Sequence, residues 1–429
     1  MAILLAAHPT AGHTSALRAI GVELIGRGHA VGFALMRARL PFSARWPEPI
    51  RFAAELPASV ASDGIDVLAL RPPPTGLWHA ARLPRTSGQD ELAVAIELFT
   101  SGTATQARQI AEHGKRIGAS VIVGDYLMPA AMLAAQLADL PYVAVYHSAL
   151  PFPTDGAAPF GTSLPASAKG TAAWRAGEAR LDELGARFDA RVTSAARSLR
   201  LPPPDPGLLR RPISRDLNVL ATTPELEPGL RPLPGPVVMT GPCLRASATA
   251  AAIDPAGLPS TRPLAYISLG TVFNDKPGVY GTLIDGARAA GFSVIVSAGA
   301  SADRLASLQS DDVRIYRQVP QVALLEHVDV VITHGGNNTV QESLAAGRPM
   351  VVIPFGGDQW ANARRVERLG VGASIDPAAL TSHTVRSALS RAREPDSTTT
   401  AQALADSLAR YGGTVSAADA IVDLAAGRR

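Results

Sequence analysis

The chain has 429 residues, 47% hydrophobic and 18% charged, which is ample for two or three buried cores and excludes a disordered chain. Its 40 basic and 37 acidic residues leave a net charge of only +3, and the basic ones are scattered Arg, with Lys only at Lys115, Lys169 and Lys276, so nucleic acid and acidic membrane surfaces are poor partners. Cys243 is the only cysteine, which excludes an intrachain disulfide, and no apolar run approaches the ~18 residues of a membrane span.

The opening Met-Ala-Ile-Leu-Leu-Ala-Ala is too short for a secretory leader and carries no positive segment, so the expectation is a cytoplasmic protein. Ile3 to Ala7 reads as a buried strand. A Gly-containing loop with Gly12 and His13 follows, then a helix from about Ser15 to Arg27 stopped by Gly28. Ala30 to Leu35 is the next strand. A helix near Glu91 to Ile117, the strand Ser120 to Gly124, a helix after Pro129 and the strand Tyr142 to Val145 complete a pattern of parallel α/β type. Two long Pro-, Gly- and Ser-rich loops, Arg71 to Gly88 and Pro151 to Gly170, carry Trp78, His79, Phe152 and Phe160. Long loops in compact domains are often functional, so substrate contact is as fair a reading as surface connection.

From Arg197 to Pro263 prolines crowd the chain, and Ala246 to Thr261 is small, polar and aperiodic, which reads as a linker. A second α/β run follows, with strands at Leu264 to Leu269, Phe292 to Ser297, Val313 to Tyr316, Val328 to Thr333 and Met350 to Pro354. The expected domains are residues 1–240, a linker at 241–262, residues 263–410, and a closing helix at 411–429.

His334-Gly335-Gly336-Asn337-Asn338-Thr339 stands between a predicted strand and a helix reaching about Ala345. A helix N-terminus there gathers backbone N–H groups and partial positive charge, and the small residues let a phosphate come close. The competing reading is N-capping by Asn or Thr. Glu342, one turn on, can face the same side, where a carboxylate suits a ribose diol. Asp358-Gln359, at the carboxyl edge after Pro354, suits sugar hydroxyls, although Asp358 could equally cap a helix.

The segment Gln318 to Gly372, with Pro320-Gln321, His334 to Thr339, Glu342, Gly347, Pro349, Pro354, Asp358-Gln359 and Asn362, resembles the donor-binding motif of family 1 nucleotide-sugar glycosyltransferases. Ser268-Leu269-Gly270-Thr271, Thr223-Pro224-Glu225-Leu226 and Gly12-His13 extend the resemblance over both halves. It implies the GT-B fold, two Rossmann-like doubly wound domains facing across a cleft, with the closing helix packed back on the first. It also implies that His334, Asn338, Thr339 and Thr271 hold the diphosphate, with Gly12, Gly336 and Asn337 among the donor-binding residues. Glu342 would hold the ribose, Asp358 and Gln359 the sugar, and Gln318, Val319 and Gln321 the base. Gln318 stands where the family often has a Trp that stacks on uracil, so thymidine diphosphate stays open beside uridine diphosphate. The intact Asp-Gln pair tilts the sugar toward a hexose such as glucose.

Inverting transfer needs a base, and the resemblance assigns it to His13, with Asp125 as the carboxylate that orients it. Taken without the resemblance, His13 is a loop histidine and Asp125 a candidate helix cap. His8, His79 and His147 are the other candidate bases, and Trp78, His79, His147, Phe152 and Phe160 are the candidates for the acceptor side. No metal-ligand spacing is visible, so neither metal nor cofactor is expected beyond the nucleotide sugar itself. The expectation is a hexosyltransferase acting on a hydroxyl of a small lipophilic acceptor, a secondary metabolite or antibiotic aglycone, as a monomer or homodimer. A sugar-nucleotide epimerase and a non-catalytic nucleotide-sugar-binding relative that supports a partner enzyme are the alternatives.

Overall fold

The computed structural model describes residues 1–37, 48–73, 88–152, 154, 157–245, 259, 263–270 and 276–427. The chain divides into two compact units, Met1–Arg245 with Tyr411–Arg429, and Ala246–Arg410.

The first unit runs β1 (Ala2–Ala6), α1 (Ala11–Gly26), β2 (Ala30–Met36), α2 (Glu48–Ala61), β3 (Asp66–Leu70), α3 (Gly88–Thr100), α4 (Thr103–Ile117), β4 (Ala119–Asp125), α5 (Pro129–Ala138), β5 (Tyr142–Tyr146), α6 (Ala172–Ser198), β6 (Leu217–Leu220) and β7 (Val237–Met239). Its strands form one parallel sheet in the order β3-β2-β1-β4-β5-β6-β7. The central strands are nearly continuous apolar runs because helices cover both faces, which is what a parallel sheet requires. Strand order reverses between β1 and β4, so the loops leaving their carboxyl ends border the crevice where open α/β sheets bind ligands.

The second unit runs β8 (Leu264–Ser268), α7 (Pro277–Ala289), β9 (Ser293–Ser297), β10 (Val313–Tyr316), α8 (Gln321–Leu325), β11 (Val330–Thr333), α9 (Asn337–Ala345), β12 (Met350–Val352), α10 (Gln359–Arg368), β13 (Gly372–Ser374), α11 (Ser382–Ala392) and α12 (Pro395–Ala409). Its parallel sheet has the order β10-β9-β8-β11-β12-β13, with the reversal between β8 and β11. The chain then closes in α13 (Gly413–Ala425), which lies in the first unit. There Asp419 accepts from Arg27 at 2.6 Å and the Thr414 hydroxyl donates to the Leu244 carbonyl at 2.9 Å. Among the described residues no helix is long and apolar enough to cross a membrane.

Several elements differ from the sequence expectation. Helix α1 begins at Ala11, so Gly12 and His13 sit in its first turn and not in a loop. Thr10 is extended, and the ladder starts at once with Thr14 N–H on the Thr10 carbonyl at 3.1 Å. The single helix expected from Glu91 to Ile117 is two, α3 and α4. Gly102, at φ +72°, turns the chain between them, and a Cβ there would crowd Pro73 at 3.0 Å. Strands β6 and β7 lie inside the proline-rich stretch, where the prolines punctuate the sheet edge without interrupting it. Thr271, Trp78 and His79 lie outside the described residues, as do most of the linker and of the loop from Arg71 to Gly88.

Candidate active site

In the first unit three elements bring their side chains to one carboxylate. Asp125 ends β4 and is fully buried; in register it pairs with Val145 of β5. His13, in the first turn of α1, approaches with Nδ1 at 2.5 Å from Asp125 Oδ2, and its side chain is 14% exposed. His147, just past β5, approaches with Nε2 at 3.0 Å from Asp125 Oδ1 and is buried. The Leu127 backbone N–H donates to the same Oδ1 at 2.9 Å. Asp125 is therefore not the cap of α5: the N-cap is Met128, with no side-chain hydrogen bond.

Burial pushes the Asp125 carboxyl up, but the two imidazoles and their hydrogen bonds outweigh it and hold the group well below the usual carboxylate range. The carboxylate accepts, so the ring N–H groups are His13 Nδ1 and His147 Nε2, a tautomer assignment that follows from the network. The basic lone pair of His13 is then on Nε2, the nitrogen turned away from Asp125. These three residues could also be taken for a metal cluster, since their donor atoms lie within 4.8 Å of one another. Their hydrogen-bond distances fit a proton-holding set as well.

Beyond Asp125, aromatic rings surround that of His13. Phe99, from α3, lies 4.7 Å from it edge-on and stacks at 4.6 Å on His8, and His147 lies at 4.8 Å. His8 has its Nε2 3.1 Å from the Leu127 carbonyl, and burial pulls it down to about 4, so at neutral pH it is uncharged. Of the other acceptor-side expectations, Phe152 is buried in the core with its ring 5.1 Å from Tyr146. Phe160 is half-buried, and its carbonyl accepts from Gln89 at 3.2 Å. No sequence signal marked Phe99, one more apolar residue on an amphipathic helix.

The second unit carries the described nucleotide-side candidates after the carboxyl ends of β10, β11 and β12. His334 follows β11 and is buried between glycines: a Cβ at Gly270 would stand 2.5 Å from its ring, and one at Gly336 2.6 Å. Burial pulls His334 down to about 4, against a hydrogen bond with the backbone of Ser268, so the ring is neutral. Gly335 has φ +89°, which turns the chain into α9 with Gly336 as its N-cap. Asn337, Asn338 and Thr339 thus occupy the first turn, where the helix dipole favours an anion.

Gln321, the first residue of α8, donates from Nε2 to Glu342 Oε2 at 2.5 Å and to the Thr339 hydroxyl at 3.2 Å. Its Oε1 accepts from the Tyr266 hydroxyl at 2.8 Å, which fixes the amide orientation. Burial pushes Glu342 up to about 7, with the Gln321 hydrogen bond acting the other way. Gln359, which is buried, accepts on Oε1 from the Phe355 and Gly356 backbone N–H groups at 2.7 and 3.2 Å, which fixes its amide orientation. Asp358 is half-buried beside it, Gln318 is exposed and Val319 half-buried. Asn362, fully buried, donates to the Gly335 carbonyl at 2.8 Å and accepts from Arg365 at 2.9 Å, so α10 braces the loop that carries His334.

Residues 257–397 match the family of UDP-glucoronosyl and UDP-glucosyl transferases. The NDP-glycosyltransferase YjiC of Bacillus licheniformis is 36% identical over 167 residues, which is 38% of this chain and 41% of that protein, so the aligned part spans well under two thirds of that relative. The 4'-demethylrebeccamycin synthase of Lentzea aerocolonigenes is 26% identical over 445 residues, covering 98% of this chain and 99% of that one. The crystal structure of the glycotransferase of kitacinnamycin superimposes with a TM-score of 0.73 at 23% identity, covering 99% of this chain and 98% of that one. The donor-side part of the chain, residues 257–397, is thus similar to the UDP-glucoronosyl and UDP-glucosyl transferases, and the chain as a whole has the two-domain GT-B fold of the solved glycosyltransferase.

Proposed function

We propose that the chain is an inverting glycosyltransferase that moves a hexose from UDP-sugar or dTDP-sugar to a hydroxyl of a small lipophilic acceptor, a secondary metabolite or antibiotic aglycone. The observation that carries the reading is the 2.5 Å contact of His13 with the buried Asp125, in a chain whose other unit holds the nucleotide-sugar domain. His13 Nε2 takes the acceptor's hydroxyl proton as the oxygen attacks the anomeric carbon. The bond from that carbon to the diphosphate oxygen breaks on the opposite face, and the diphosphate leaves with the negative charge. Asp125 stabilises the imidazolium so formed, and it can do so because it is already ionised.

The departing charge is met by the first turn of α9, with Asn338 and Thr339. Glu342, oriented by Gln321, is the ribose acceptor, while Asp358 and the Gln359 amide read the sugar hydroxyls. A helix terminus in this role makes a divalent cation unnecessary, so chelation should leave the rate unchanged.

The test is release of UDP or dTDP from UDP-glucose and dTDP-glucose across a panel of phenolic and macrolide alcohols, with a no-acceptor arm. The expected result is release that requires acceptor, yields a glycoside of inverted anomeric configuration, and is lost in His13→Ala. Conversion of the donor without any acceptor would point to an epimerase. Binding of nucleotide with no turnover across the panel, and no effect of His13→Ala, would make the chain a binding relative and end the proposal.

A further inference from the structure

Three candidates stand outside the roles assigned above: the Tyr266 hydroxyl beneath Gln321, Lys276 over the Phe355 ring, and His147 on the far side of Asp125. The last is carried furthest by the geometry. We propose that His147 is a positioning residue for the catalytic pair, holding the second oxygen of Asp125 so that the first stays aligned with His13. The inference rests on the reading of His13 as the base.

The χ2 torsion of an aspartate has a broad, two-fold profile, so one hydrogen bond leaves the carboxylate plane free to swing. Here each oxygen has its own imidazole: His13 Nδ1 on Oδ2 at 2.5 Å and His147 Nε2 on Oδ1 at 3.0 Å, with the Leu127 N–H on Oδ1 at 2.9 Å. Donors on both oxygens, from three separate segments, fix the plane. His147 itself is held because it follows β5, the parallel neighbour of β4 in register Asp125 to Val145. It is 4% exposed, and it donates its Nε2 proton to the carboxylate.

The second imidazole also sets how much negative charge His13 feels. Each N–H that the carboxylate accepts disperses its charge, so removing one should strengthen the pull of Asp125 on a protonated His13. The titratable groups facing Asp125 and His147 are His8 after β1, His13 of α1, Tyr126 after β4, and Tyr142 and Tyr146 of β5. His8 is neutral and burial pushes Tyr142 and Tyr146 upward, so none of these three supplies a charge that would replace His147 near neutral pH.

The test compares His147→Phe, which keeps a ring and loses the donor, with His147→Gln, whose amide NH₂ can reach where Nε2 does. His147→Phe should lower kcat by roughly 10- to 100-fold, the cost of removing the outer partner of a metal-bound histidine taken as a guide. Its acceptor KM should stay within about twofold, and the acid limb of its kcat profile should move to higher pH. His147→Gln should restore most of kcat and the wild-type limb. A folded His147→Phe with wild-type kcat and an unmoved limb overturns the proposal, and so does a folded His147→Gln as impaired as His147→Phe. Should His147→Phe not fold, the His147→Gln profile against wild type decides alone, a displaced limb being the overturning result. His13→Ala run in parallel separates the two levels: if it too is fully active, the reading of the base has failed, and with it the ground for this one.

Discussion

Each unit places a histidine beyond a strand that borders the reversal of strand order, His13 in the helix after β1 and His334 directly after β11, and the surroundings give the two rings opposite characters. His13 meets a buried, ionised carboxylate. His334 meets two glycines and the backbone of Ser268, and burial alone leaves it neutral well below physiological pH. An imidazole on a carboxylate can take a proton and keep it through a reaction; an imidazole enclosed by backbone can only donate the N–H it has. The α/β scaffold thus supplies a position, and the group facing the ring decides whether it can hold a second proton.

The most severe way to break this contrast is to remove the proton acceptor. His13→Ala should reduce kcat by about 10²- to 10⁴-fold and leave nucleotide affinity within twofold, because the substituted group lies in the other unit from the nucleotide-side residues. Asp125→Asn should cost a similar factor, since an amide neither stabilises the imidazolium nor enforces the Nδ1–H tautomer. His334→Ala should do the reverse, raising the dissociation constant for UDP or dTDP. Equal losses of turnover and binding in all three variants would show that the two histidines are not functionally distinct.

Acid titration sharpens the comparison from the side of stability. His8 in the first unit and His334 in the second are each held at about 4 against an ordinary value of 6.5. Their contribution is complete above pH 6.5 and is lost as the pH falls toward 4, about 3 kcal/mol for each at most. Glu342 runs the other way. Pushed from 4.5 up to about 7, it favours the folded state fully below pH 4.5, an advantage that disappears as the pH rises through 7, again about 3 kcal/mol. Between pH 6.5 and 4.5 the two effects oppose each other in the second unit, while the first unit has only the loss. Hydrogen exchange, corrected for its intrinsic pH dependence, should therefore show β1 and β4 losing protection on acidification before β11 and β12. Glu342→Gln should make the second unit as acid-sensitive as the first. Identical pH responses of the two units in the wild-type chain would sink this account.

Crowding His334 comes next. In Gly336→Ala the new Cβ would lie 2.6 Å from Nε2, and the ring has Gly270 against it as well. Overpacking of this kind costs roughly 1–3 kcal/mol, so nucleotide affinity should fall by about 5- to 150-fold as the ring is displaced. A calorimetric titration with UDP and dTDP reads it directly, and unchanged affinity would mean that His334 does not touch the nucleotide.

The two sites were legible from sequence to different depths, and the reason is chain distance. His334, Glu342, Asp358 and Gln359 lie on two successive strand–loop–helix units, so one short segment carries the motif whole. His13 and Asp125 are 112 residues apart and meet only because β4 is inserted beside β1 in the sheet. The resemblance to a family supplied their pairing; periodicity could not. In sequence His147 is a candidate base or acceptor-side residue and no more, because the β4–β5 register that sets it beside Asp125 has no signature in a linear sequence. Phe99 depends further on the break at Gly102, where the 3.6-residue pattern of α3 continues into α4 without marking the turn. Strands β6 and β7 were obscured by proline, whose density signals a linker equally well when it flanks an edge.

The smallest expected effect lies with Asn362, which touches no substrate. Its amide bridges the Gly335 carbonyl at 2.8 Å and Arg365 at 2.9 Å, tying the glycine turn to α10. Asn362→Ala removes both bonds inside a buried site, and α9 together with Gly270 still confines the loop on its other sides. The net worth of one such bond is about 1 kcal/mol, so the dissociation constant for nucleotide should rise about fivefold. Turnover at saturating donor should stay within twofold, since the proton-transfer set in the first unit is untouched. A loss of kcat without a loss of affinity would mean that bracing by α10 acts on the reaction itself, and the assignment of binding to one unit and proton transfer to the other would have to be withdrawn.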